Sequence, residues 1–261
     1  MTTLQTTLPK PKATLPSLLG QLSLLVFCYP LGGYLLWKSK AKIWKKAIAL
    51  IFTLPIFLLL FSYFGILLFA SFLPDLDSTP VNRPDRTITN SMGDYTVTFL
   101  KTNLETEGAY ELVKVTLAPK GGNDWHYHKA FVEKFQVLEG ELKIGMEGKE
   151  ITLLPGQRAE APAQTMHKFY NISSKPVVFT VEINPGRSFE KTLRIGYGLG
   201  NTGQTDKEGM PRNPWHLLLL LGYSESYLPI LPGFIQEPLF PALAKIAQWK
   251  GEGKALEKFY K

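Results

Sequence analysis

The stretch Gly121-Gly122-Asn123-Asp124-Trp125-His126-Tyr127-His128-Lys129-Ala130-Phe131-Val132-Glu133 decides how the middle of this chain is read. His126 and His128 are two residues apart, so on an extended strand both imidazoles leave the same face. Tyr127, between them, points to the opposite face. Glu133 follows five residues after His128, and a regular strand would turn it away from the histidines; a turn or bulge must therefore intervene. Three of the chain's four histidines bear on this region: His126, His128 and His167, the last lying on a separate strand beyond the Pro155-Gly156 turn. Two imidazoles from one strand, a carboxylate from its neighbour and an imidazole from across a barrel make a mixed nitrogen/oxygen donor set. Such a set suits iron, manganese, nickel, copper or zinc, with coordination positions left open.

Working outward, the apolar period is two. The runs 95–102, 109–118, 134–140, 141–146, 149–154 and 177–185 are short, rich in β-branched and aromatic residues, and separated by Gly-Gly, Glu-Gly and Pro-Gly breaks. That spacing predicts an all-β sandwich or barrel, the jelly-roll type included.

The same residues resemble the cupin family. Its first motif runs glycine, five residues, His-x-His, three or four residues, Glu, six residues, Gly. Here Gly121, His126, His128, Glu133 and Gly140 follow it, with four residues instead of five after the first glycine. The second motif is matched by Gly156, Pro162, His167 and Asn171, with Gln164 where the family has glycine. The resemblance covers roughly residues 90–187. It implies a double-stranded β-helix barrel in which His126, His128, Glu133 and His167 hold a divalent metal. Phe131, Phe135 and Gln164 are the candidate pocket residues, with Phe135 serving equally well as plain core. Asn171 heads an Asn-Ile-Ser sequon, but its place in the motif assigns it to the barrel backbone.

Charge separates the rest of the chain into parts. Of 29 Lys and Arg, seven fall in residues 1–73, which contain no Asp or Glu and so carry the whole net charge of +7. The remaining 22 basic and 22 acidic residues balance. A neutral folded part gives no footing for nucleic acid. Residues 47–73 form 27 uncharged, apolar positions, enough as a helix for about 40 Å and more than a bilayer core requires. Residues 15–37 form a second uncharged run, interrupted by Gln21, Pro30, Gly32 and Gly33; it either spans, completing a hairpin, or lies re-entrant or interfacial. Five lysines in the nine residues 38–46 separate the two runs, and lysines at helix ends stay cytoplasmic. The bulk of the chain is then expected outside the cytoplasm. Cys28, the single cysteine, excludes an intrachain disulfide and reads as a small buried hydrophobe.

The expected organisation is a membrane anchor over 1–73, a spacer over 74–92, a barrel over 93–190 and a C-terminal extension over 191–261. Residues 196–214, with their glycines, read as loop; two short helices follow, at 215–223 and 234–249. These helices suit packing on the barrel, lying on a membrane surface or a homodimer contact. Two functions remain open. One is a metal-dependent oxidoreductase of dioxygenase type acting on a small molecule, as in some cupins; the other is a metal-assisted small-molecule or sugar binding module.

Overall fold

The computed structural model describes residues 17–90 and 95–261. The chain divides into two compact units, Met1–Ile66 and Leu67–Lys261. In the first, α1 (Leu18–Phe27) and α2 (Tyr29–Lys38) replace the single helix that a span over 15–37 requires, and Leu15 and Pro16 lie outside the described residues. The break has a local cause. Cys28 sits at φ −146°, ψ 73°, outside the helical region, and Pro30 starts α2, where a missing N–H costs nothing. Each helix has ten residues, about 15 Å, half a bilayer core. Cys28, expected to be buried, is exposed at this break. α3 (Ile43–Ser71) is a continuous helix of 29 residues whose most apolar 18-residue stretch has a mean hydropathy of 2.4, and it keeps Pro55 in its interior.

The second unit is built on a jelly roll. Its strands are β1 (Thr87–Thr89), β2 (Tyr95–Lys101), β3 (Glu111–Leu117), β4 (Tyr127–His128), β5 (Val132–Glu139), β6 (Leu142–Met146), β7 (Lys149–Leu153), β8 (Arg158–Ala161), β9 (His167–Tyr170), β10 (Val177–Asn184) and β11 (Ser226–Tyr227). One antiparallel sheet runs β1-β2-β3-β10-β5-β8 and a second runs β7-β6-β9. Bridges Gly122↔Tyr170 and His126↔His167 lay the segment before β4 alongside β9, and β4 in turn pairs with β11. Gly122 permits this approach, because a Cβ there would lie 2.7 Å from the Phe169 carbonyl oxygen. The sheets face one another without closing into one ladder. Alternation drives the packing: Val113, Val115 and Leu117 on β3 point inward with Phe179, Val181 and Ile183 on β10, and meet Ile144 and Phe169 of the smaller sheet. Burying each such side chain contributes about 1.5–3 kcal/mol.

The C-terminal extension is more helical than its composition suggests. α4 (Phe189–Asn201) occupies six residues of the expected loop, followed by α5 (Pro214–Ser224), α6 (Gly233–Trp249), a 3-10 turn (Glu252–Leu256) and α7 (Glu257–Tyr260). Glycines 196, 198 and 200 weaken helix propensity, but Ile195 and Leu199, both fully buried, bind α4 into a second core with Leu219, Tyr223 and Ala247. Packing overrides propensity there. The start of α4 is held by Glu111, buried at the head of β3, which accepts hydrogen bonds from the N–H groups of Arg187, Phe189 and Glu190 at 2.9, 3.2 and 3.0 Å.

The segment expected as a free spacer is tied down. Lys191, 1% exposed, donates to the Asp77 carbonyl at 2.6 Å and lies 5.1 and 4.8 Å from the Tyr223 and Tyr260 rings. Arg194 pairs with Asp85 at 2.8 Å, Gln248 bonds the backbone at Asp75 and Asp77, and β1 adds a strand to the larger sheet. Composition alone misleads here because the partners of these acidic residues lie more than a hundred positions away. The end of the spacer, and the start expected for the barrel at residue 93, fall at 91–94, outside the described residues.

Candidate metal centre

Three separate pieces of backbone bring the four donors together. His126 sits on the segment bridged to β9, His128 on β4 and His167 at the first position of β9, all on the smaller-sheet side. Glu133 comes from β5 of the larger sheet, where Ala161 and Ile183 flank it. The loop 129–131 supplies the reversal that the spacing demanded. One ligand atom from each residue lies within 4.8 Å of all the others. Glu133 Oε2 is 3.1 Å from His167 Nε2, and Oε1 is 3.5 Å from His128 Nε2.

The outer ring nitrogens fix the inner ones. Nδ1 of His126, His167 and His128 faces the backbone carbonyls of Asp124, Thr165 and Ser224 at 2.8, 2.8 and 3.2 Å. A carbonyl only accepts, so each Nδ1 carries a proton and each Nε2 is directed into the site. His128 Nε2 is buried with no hydrogen-bond partner. An orphaned acceptor beside a buried carboxylate is costly, and a divalent cation among these donors satisfies both. The residues present therefore fit a divalent metal.

Electrostatics agree. Burial pushes the Glu133 carboxyl up, but the His167 hydrogen bond and the surrounding imidazoles outweigh it and hold the group at about 2. Burial depresses His128 to about 3 and lowers His126 as well. His167 is also penalised by burial, yet its hydrogen bond to Glu133 and that carboxylate's charge raise it.

The centre opens on a cavity of about 300 Å³ lined by His126, His128 and Glu133. Its walls are mostly apolar, with Val97 and Phe169 from the jelly roll, Phe189 and Leu193 from α4, Leu221 from α5 and Leu228 just past β11, and they also include Asn123, Asp124, Thr192, Ser224 and Ser226. None of the three pocket residues expected from sequence lines it. Phe131, 2% exposed, stacks on the His128 ring at 4.1 Å and supports it from behind. Phe135 belongs to the core, 6.3 Å from the His167 ring. Gln164 keeps an exposed side chain and adopts φ +64°, the conformation glycine favours, while its N–H donates to the His128 carbonyl at 2.7 Å. Tyr127 points away as expected, its hydroxyl donating to Glu237 at 3.1 Å. Asn171, 1% exposed, donates to the carbonyls of Leu117, Ala118 and Lys175 and accepts from Ser173. His216 is buried at the start of α5, 3.9 Å from Glu252. The contribution sequence reading missed is that of the C-terminal extension, which builds part of the cavity wall and supplies the Ser224 carbonyl.

Residues 113–189 match the family model described as a cupin domain, Cupin_2. The barrel falls in the cupin superfamily. The matched cupin segment contains all four donors but leaves out α1–α3 and α5–α7. Over 116 residues the chain is 34% identical to the quercetin 2,3-dioxygenase of Bacillus subtilis (strain 168), covering 43% of this chain and 33% of that protein. The chain thus spans about a third of the length of that relative. Among solved structures, KdgF from Halomonas sp. aligns at 18% identity and a TM-score of 0.34, over 38% of this chain and 87% of its own. A predicted oxalate decarboxylase from Thermotoga maritima aligns at 18% identity and a TM-score of 0.35, over 43% and 97%.

Proposed function

We propose that the chain is a membrane-anchored, metal-binding cupin protein that uses O₂ to oxidise a small, largely apolar molecule. The observation that carries this reading is the convergence of three imidazole Nε2 atoms and the Glu133 carboxylate on one side of an apolar cavity of about 300 Å³. A bound divalent metal of the iron, manganese, nickel or copper type supplies Lewis acidity, redox capacity and open positions for an oxygen-bearing ligand. The chain's own residues do the remainder. The three Nδ1–carbonyl bonds lock the imidazoles in one tautomer and orientation. Val97, Phe169, Leu193 and Leu221 hold the apolar body of a ligand and exclude water from it. The metal end sets the ligand's orientation, with Asn123, Thr192, Ser224 and Ser226 as the further polar groups on the wall. The 34% identity to a quercetin 2,3-dioxygenase makes quercetin the first substrate to try.

The N-terminal unit completes the proposal. α3 crosses the bilayer, the lysines of 38–46 hold its start on the cytoplasmic side, and the cupin domain lies extracytoplasmically. Elemental analysis of the full chain in detergent tests the centre, beside His126→Ala and Glu133→Ala. The expected result is a single equivalent of redox-active metal, lost in both variants, together with O₂ uptake on adding quercetin or a smaller phenol. A folded protein that takes up no metal on reconstitution would sink the enzyme. Saturable binding without O₂ uptake would replace it with the binding module.

A further inference from the structure

A second cavity lies wholly within the N-terminal unit, where α2 ends, the chain turns through Ser39–Lys42, and α3 begins. Its volume is about 590 Å³. Its lining combines Lys40, Lys42 and Lys45 with Leu22 of α1, Leu36 of α2 and Phe52 of α3.

Lys45 Nζ lies 5.4 Å from the Trp44 ring centre, and the other two lysines of this stretch are engaged elsewhere. Lys46 Nζ donates to the carbonyls of Trp37 at 2.7 Å and Ser39 at 2.9 Å, closing the end of α2, and Lys38 Nζ lies 4.7 Å from the Tyr34 ring centre. The three cavity lysines have no acidic neighbour in sequence, since residues 1–73 contain no Asp or Glu. Among the described residues none of the three makes an ion pair. Uncompensated like charges at one cavity repel one another, and an anion among them removes that cost.

We infer that this cavity binds an anionic phospholipid, its headgroup phosphate among Lys40, Lys42 and Lys45 and the start of an acyl chain along Leu22, Leu36 and Phe52. The inference rests on α3 lying in a bilayer. Two features select a lipid over a free anion. The volume holds about twenty waters at liquid density, far more than a phosphate fills, and the apolar wall offers a phosphate nothing. The position agrees as well, because the uncharged run begins at Ala47, directly after the lysines, where headgroups meet the hydrocarbon.

The test uses the full chain in a nonionic detergent, equilibrated with mixed phosphatidylcholine and phosphatidylglycerol, the retained lipid being identified by mass spectrometry after gel filtration. Wild type retains a single equivalent of phosphatidylglycerol. At about five-fold per lysine, the triple variant Lys40→Gln, Lys42→Gln, Lys45→Gln loses about a hundred-fold in preference over phosphatidylcholine, and the corresponding triple arginine variant keeps it. Ala49→Trp fills the cavity without altering charge and also abolishes retention. Undiminished retention in Ala49→Trp would mean general surface attraction, and undiminished retention in the glutamine variant would remove the charge argument; either overturns the site. Displacement by inorganic phosphate overturns the lipid assignment. Flotation on vesicles of phosphatidylcholine alone tells the two failures apart. A wild-type chain that does not float after a high-salt wash brings down the bilayer reading itself, whereas one that floats but shows no preference brings down only the cavity.

Discussion

At the scale of single residues, the centre is a set of donors poised between a proton and a metal. In the metal-free centre His167 keeps its proton above the ordinary value of 6.5 because Glu133 faces it, and a metal must expel that proton. Metal affinity is therefore expected to keep rising with pH above 6.5 until His167 has lost its proton and then to level off, as titration with a metal indicator at several pH values will show. His128 carries the opposite sign. It stays neutral in the fold down to about 3, whereas the unfolded chain protonates it near 6.5. Between those values the unfolded state binds the extra proton, so His128 alone draws stability down as pH falls through that window. The four donors were legible because their types and spacings are chemical requirements. Their supports were not: a backbone carbonyl such as that of Ser224 leaves no mark in a side-chain pattern. Gln164 shows how a pattern can hold in geometry after failing in identity, since it takes up the turn of the glycine it replaces. Gln164→Gly is expected to stabilise the domain by about 0.5–1 kcal/mol in chemical denaturation, relief of the left-handed backbone exceeding the entropy cost of glycine.

At the scale of elements, strands read well and one helix did not. Alternation exposed β2, β3, β5, β6 and β10 because one face of each is buried, which stamps a period of two on the sequence. β4 and β11 have two residues each, too few for any period, and they are the pair that joins the C-terminal extension to the metal side. α4 escaped because its glycines serve packing. A Cβ on Gly198 would lie 2.2 Å from the Phe259 ring, so the residue that weakens the helix locally is what admits its neighbour. Gly198→Ala, helix-favouring by propensity, is expected to cost about 1–3 kcal/mol by overpacking. A rise in melting temperature would show that Phe259 yields.

At the scale of the whole molecule, the two uncharged runs have different fates: 47–73 lies almost wholly within one long helix, and 15–37 is divided at Cys28. Hydropathy registers composition; the break depends on one residue's backbone angles. The spacer was misjudged for a related reason, since its low apolar content hid contacts made by charge. Lys191→Ala removes the cation from between two tyrosine rings and leaves Asp77 without it, at a cost of about 2 kcal/mol. Limited trypsin digestion should then cut after Arg86 faster than in the wild type. The pairing of Ser226 with His128 also has a consequence in time. All four ligands leave the ribosome by residue 167, yet the carbonyl that sets the His128 proton arrives nearly sixty residues later, with Ser224. A nascent or prematurely terminated chain can thus display every coordinating side chain and still hold metal poorly. A chain truncated before Ser224 is therefore expected to bind metal more weakly than the full chain, although it contains all four donors.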